Sequence, residues 1–376
     1  MQTPRPHRSG PATAAAVVAL VTGGIGAGWL ARPSTYPFGA TDRVTMSVTH
    51  DLPVAVAGGT LLAAAALGLA IAVLAGRPAP GHRAAGPLAA GLAGFFALVM
   101  ADTSLISLLG YALALGAPLV VTTGIVLACV RGGRWGRLAG AALLLLATVA
   151  VLAGPVDPGV LLRFTRNVLH AFAEYGTRLL WGLAMAALAG AWGAVAYRLL
   201  RAGRTGGRPG WARPERARRW GRVAALGAAL CPLPYAFVRL TWLTPWAIGL
   251  DRDIDDPALR LQGGALGCAA LIGAVLTVGL VSRWGEVVPG WVPVLGHRPV
   301  PVTWAVAPGG LVATATCVAA PGLLLHAVET GGFGEGLRGV AFGLLFFPFP
   351  VWGPLLAAAV LAYALRRRPV EAPVAG

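Results

Sequence analysis

Lysine is absent: all 30 cationic residues are arginine, set against 14 acidic residues and six histidines in a chain of 376. Charged residues make up only 12% of the sequence, about half the share typical of soluble domains, while 57% is hydrophobic and the mean hydropathy is +0.72. That shortage of charge excludes a pair of ordinary water-soluble domains. The four cysteines, Cys129, Cys231, Cys268 and Cys317, stand in apolar runs without metal-type spacing, so they read as small buried hydrophobes. No glycine-rich loop ending in Lys-Ser or Lys-Thr occurs, which excludes ATP-driven pumping by this chain alone. GxSxG, CxxCH, HExxH and paired intramembrane Asp motifs are missing too, so no hydrolase, haem-carrier or intramembrane-protease signature is present. The formal charge of +16 lacks a soluble basic module that could bind nucleic acid, and no cofactor is implied.

What is present is a series of apolar stretches near the length of about 20 residues that spans a hydrocarbon layer. Ten fit best: 11–31, 52–76, 85–105, 108–130, 138–154, 178–200, 222–244, 262–282, 304–327 and 340–365. The first has a cationic start, but Ala31-Arg32-Pro33 is a poor cleavage site, so it reads as a span rather than a signal peptide. Alternate loops then differ sharply in charge. One side, with both termini, collects 21 of the arginines and three acids; the other collects nine arginines and eleven acids. Cationic loops are held in the cytoplasm. The predicted fold is therefore all-α: a polytopic transmembrane helical bundle of about ten spans in the cell membrane, with both termini cytoplasmic.

Three segments depart from the hairpin pattern. Residues 155–177 start with Asp157-Pro158, an N-cap followed by Pro at the first helical position. Val160, Leu161, Phe164, Val168, Phe172 and Tyr175 recur there at helical spacing, with Arg163, Arg166, His170 and Glu174 between them. That pattern predicts an amphipathic helix on the outer surface, or a helix packed within an outer loop. Residues 201–222 hold eight Arg and only Glu215, amid Gly and Pro. They read as an irregular basic cytoplasmic loop that meets anionic headgroups or docks a cytoplasmic protein partner. Arg-Trp-Gly recurs at Arg134, Arg219 and Arg283, each time at the cytoplasmic boundary, where indole and guanidinium anchor a span.

The third segment, 283–303, is rich in Pro and Trp. Arg283-Trp284-Gly285-Glu286-Val287-Val288-Pro289-Gly290-Trp291-Val292-Pro293, continuing through Gly296-His297-Arg298-Pro299-Val300-Pro301, is the most distinctive string in the chain. With Cys231-Pro232-Leu233-Pro234-Tyr235 it resembles a group of uncharacterised actinobacterial polytopic integral membrane proteins. The resemblance implies a multi-pass membrane protein and transfers no activity. Four prolines without backbone donors forbid a regular helix here, so a cytoplasmic loop folded back as a cap is expected.

Candidate polar and pathway residues are few. Pro232 and Pro234, with Tyr235, interrupt the seventh span; Pro348 and Pro350 interrupt the tenth. Such breaks are either supported kinks or exposed backbone dipoles at a solute site. Arg239 and Asp102 are set at similar depth on the outer side, so an ion pair between them is one expectation. The other is that Asp102 caps the fourth helix and Arg239 meets lipid phosphate. His50 and Asp51, His170 and Glu174, and His326 and Glu329 all map to the outer face and would bind a metal only if the bundle gathered them. The loop from Asp251 to Asp256 resembles an EF-hand start but lacks its sixth-position Gly and has Gln262 in place of the closing Glu. Gly24 and Gly28 form a small-xxx-small pair suited to close helix packing.

Three functions remain open: a non-catalytic membrane component such as a scaffold or subunit, a small-solute transporter or channel-like permease, and a membrane-embedded enzyme acting on lipid or cell-wall precursors. A polar-walled cavity between the broken spans would favour the second, and an apolar interior there the first.

Overall fold

A computed structural model describes residues 10–38, 47–49, 52–77, 80–131, 157–202, 210–249, 256–290, 296–330 and 336–367, with scattered positions between 133 and 148. The longer helices are α1 (Gly10–Ala31), α2 (Val54–Gly76), α3 (Pro80–Phe95), α4 (Ser104–Arg131), α5 (Pro158–Ala202), α6 (Pro214–Leu230), α7 (Leu233–Thr241), α8 (Pro257–Gly279), α9 (Val302–Thr330), α10 (Gly336–Phe346) and α11 (Phe349–Arg367). An isolated antiparallel bridge, Val287 to Pro299, is the one β-type pairing among the described residues. The fold is an all-α helical bundle.

Among the described residues, seven helical stretches are long and apolar enough to cross a membrane: Gly10–Ala31, Val54–Gly76, Leu180–Arg201, Pro214–Thr241, Pro257–Gly279, Val302–Leu325 and Gly343–Arg367. Ala84–Met100 is a shorter apolar helix. The stretch that contains α6 reverses the packing order of a soluble core. In α6 the buried residues are Ala217, Gly221, Ala224, Ala225, Ala228 and Ala229, while Val223 is 72% and Leu230 64% exposed. Small residues let backbones approach; large apolar ones face outward, where hydrocarbon but not water would accept them.

Two compact units divide the chain. The first comprises Met1–Leu105, Gly176–Pro209 and Cys317–Val340; the second comprises Ile106–Tyr175, Gly210–Thr316 and Ala341–Gly376. In the first unit α1 and α2 cross at Gly26 and Gly58. A Cβ on Gly26 would lie 2.8 Å from the Gly58 carbonyl, and one on Gly58 would lie 2.7 Å from Leu30 Cγ. The Gly24/Gly28 pair does not serve this contact. The buried stripe of α1 is Ala15, Ala19, Thr22, Gly26 and Trp29, and at 100° per residue Gly24 and Gly28 fall on its far side, with open space around them.

In the second unit α6, α9 and α11 share a core of Ala224, Ala225, Ala228, Ala313, Leu356 and Val360 around the fully buried Tyr363. Helices α7 and α8 meet where Gly263 and Gly264 admit Trp242 and Leu243.

Three sequence expectations change here. First, 155–177 is not a separate surface helix. Asp157 caps the chain as expected, accepting from Gly159 N at 2.7 Å, but the helix then runs 45 residues through to Ala202. Val160, Phe164 and Phe172 pack on Ala258, Leu261 and Ala265 of α8, which is the loop-helix alternative in extended form. No helix-stopping residue stands between 160 and 202, and Gly176 alone does not end a helix that packing supports. Second, the basic loop is shorter than 201–222: Arg216, Arg218, Arg219 and Arg222 already belong to α6, which starts at Pro214. Third, the Pro/Trp segment is partly ordered as a hairpin. Val288 N donates to Arg298 O and His297 N to Val288 O, both at 2.9 Å, and Val300 N donates to Glu286 O at 3.0 Å. His297, on the returning arm, adopts φ 64°, in the left-handed region.

Candidate functional site

Two places hold the polar and broken-helix features, one in each unit. In the first unit α3 ends in a π turn, Phe96–Met100, and the chain bends at Ala101 before α4 begins. Asp102 sits in that bend, wholly buried. Its Oδ1 accepts from Ser104 N at 2.7 Å, capping α4, and also from Arg178 Nε at 3.1 Å. Its Oδ2 accepts from Arg178 Nη2 at 2.6 Å. The pair is bidentate, and Arg178 is only 5% exposed. An aromatic wall covers it: the guanidinium lies 5.4 Å from the Phe38 ring, Phe38 contacts Tyr36, and Trp29 packs edge-on against both Tyr36 and Trp181. Ser104 Oγ and Trp29 Nε1 are buried there without a hydrogen-bond partner among the described residues.

Of the two sequence expectations for Asp102, the α4 cap is found and the Arg239 pair is not: the arginine it holds is Arg178. Arg178 was passed over because it fell at the assumed start of a span, where a cation needs no buried partner. Within the continuous α5 it lies in mid-helix and must be paired.

The second place is the junction of the two broken spans in the second unit. Proline at 232 and 234 withdraws donors from the carbonyls of Ala228 and Leu230, and α6 gives way to α7 there. Pro348 and Pro350 do the same between α10 and α11, where Phe349 N turns back to Phe347 O at 2.7 Å and Trp352 N to Pro348 O at 2.7 Å. The two breaks meet. Tyr235 and Phe347 have ring centroids 5.6 Å apart, Phe347 packs on Phe349 at 5.8 Å, and Phe349 on Trp352 at 5.9 Å. Arg239, one turn beyond Tyr235, lies over the Trp242 ring at 4.1 Å and the Tyr235 ring at 5.2 Å. Among the described residues, cation–π contact with these two rings accommodates its charge.

The histidines expected on the outer face are not brought together by anything described. His170 is exposed on α5. The side chains of Glu174, His326 and Glu329 lie outside the described residues, as do His50, Asp51 and Asp251 through Asp255. Asp256 has a structural use, accepting from Ala258 N at 2.9 Å to cap α8. Among the described residues no group of three His, Cys, Asp or Glu is placed to hold a metal.

No protein-family model matches the chain, and neither the curated proteins nor the solved structures include one similar to it.

Proposed function

We propose that this chain is a multi-pass protein of the plasma membrane acting as a non-catalytic component, a scaffold or subunit. About ten spans with both termini cytoplasmic, and kinship with the actinobacterial membrane proteins it resembles, complete the reading. One observation carries it: the two broken spans close on each other through the aromatic rings of Tyr235, Phe347, Phe349 and Trp352, in the place where a carrier would present an open polar path. The freed carbonyls then belong to kinks supported by neighbouring helices. Partner contact falls to the basic segment that leads into the first turn of α6, from Arg204 to Arg216. Photo-crosslinking from that segment in intact membranes tests it. The expected result is one defined protein partner, lost when Arg204, Arg208, Arg213 and Arg216 are changed to Gln while insertion is unchanged. Capture that survives those changes, or none, contradicts the reading.

The buried Asp102–Arg178 pair favours a second reading, solute passage, because intramembrane charge often marks a pathway. Solute flux in reconstituted vesicles that Arg178→Ala abolishes would support it; flux unaffected by Arg178→Ala and Arg239→Ala would exclude these residues from any path.

A further inference from the structure

The polar ends of α6 and α11 line an open cleft of about 820 Å³ in the second unit. Five guanidinium groups line it: Arg218, Arg219 and Arg222 from α6, and Arg366 and Arg367 from α11. The helices approach closely because Gly221, facing Ala362, carries no side chain, and this brings the two arginine sets to one space. Glu215 and Glu286 are the acids in the lining, which leaves an excess of positive charge.

The two sets differ in how they are held. Arg366 is fixed by Glu286 Oε1 at 3.0 Å and by the Leu280 carbonyl at 2.5 Å. Arg367 donates to Val300 O at 2.7 Å, and both guanidiniums lie 5.8 Å from the Tyr363 ring. Glu286 is thus already engaged. Arg218, Arg219 and Arg222 are exposed and form no hydrogen bond or ion pair among the described residues. Like charges gathered around one cleft repel unless an anion joins them, and planar two-pronged donors match the oxygens of a phosphate.

We propose that this cleft binds a phosphate-bearing anion, with Arg366 and Arg367 as fixed donors and Arg218, Arg219 and Arg222 closing on it from α6. Both helices belong to stretches long enough to cross a membrane, and these arginines stand at their polar ends. A basic pocket at that depth is suited to the phosphate of an anionic lipid headgroup. A soluble phosphate presents the same chemistry. The site does not depend on partner capture, because its arginines are not those of the 204–216 segment.

The test follows the melting temperature of the full chain, stripped of lipid in dodecyl maltoside, during titration with phosphatidylglycerol, phosphatidylcholine or inorganic phosphate. Phosphatidylglycerol is expected to raise it saturably and phosphatidylcholine not. Arg219→Gln with Arg222→Gln should weaken half-saturation at least about tenfold, the loss of one charge-assisted bond or more. Arg32→Gln, an exposed change in the other unit, should leave it alone. If inorganic phosphate produces the same saturable, Arg-dependent shift and the lipid adds nothing, the site stands and its ligand is soluble. No saturable shift with either anion, or one retained by the double variant, overturns the proposal. Arg218→Gln alone gives the same reading should the double variant fold poorly.

Discussion

Replacing Asp102 or Arg178 by Ala probes the most heavily constrained contact in the protein. Arg178→Ala leaves a carboxylate that is wholly buried with only the Ser104 amide as a described donor. Breaking a buried pair by removing one partner costs about 3–5 kcal/mol. Asp102→Ala takes the bidentate carboxylate from the guanidinium and also removes the α4 cap, adding about 1 kcal/mol. The double variant carries neither charge. It should lose the cap and some packing but regain most of the desolvation cost, giving a favourable coupling of about 3 kcal/mol between the two sites. Asp102→Asn separates the effects, since its amide oxygen can still cap α4. Reversible unfolding of the full chain by sodium dodecyl sulfate in mixed micelles measures each term. Single variants within about 1 kcal/mol of wild type, or a double variant that merely sums the singles, would refute the contact as described.

Three further outcomes are expected. Gly221→Val places its Cβ against Ala362 and should destabilise the α6–α11 contact by about 1–3 kcal/mol in the same unfolding assay. Gly285→Ala would set a Cβ 1.9 Å from the Gly279 carbonyl, which backbone cannot yield, so it should cost more than Tyr363→Phe. The latter loses one 2.8 Å hydrogen bond to Gly285 O, worth about 0.5–1.5 kcal/mol. Phe164→Ala should release the first half of α5 from α8, seen as faster amide exchange over 158–175 and a loss of about 3–5 kcal/mol.

The helices were legible because a span has to be apolar over a fixed length, and α1, α2, α8 and α11 follow that rule closely. Both proline breaks and the Asp157 cap were legible for a similar reason: each is dictated by one residue's covalent chemistry. Contacts between helices were not. Nothing along the chain says that Tyr235 meets Phe347, or that Gly26 rather than Gly24 faces α2, because the choice of face depends on which neighbour arrives. Arg178 was hidden by an assumed boundary: a cation at a span's end needs no partner, and the same cation in mid-helix does. The arginines of α6 were read as a loop because Gly and Pro surround them, although Arg213-Pro214 opens a helix. The cleft they share with α11 depends on residues about 145 positions apart in the chain.

The central claim is that aromatic packing, rather than an open polar path, fills the paired breaks. Thiol labelling at Ala236, fully buried beside Tyr235, tests it most directly. In a chain with its four native cysteines replaced by Ala and carrying Ala236→Cys, a membrane-impermeant maleimide should not react from either side of intact vesicles, and should react fully once the protein is unfolded. Rapid labelling in the folded state from either side would mean that water reaches the junction, and the scaffold reading would give way to solute passage.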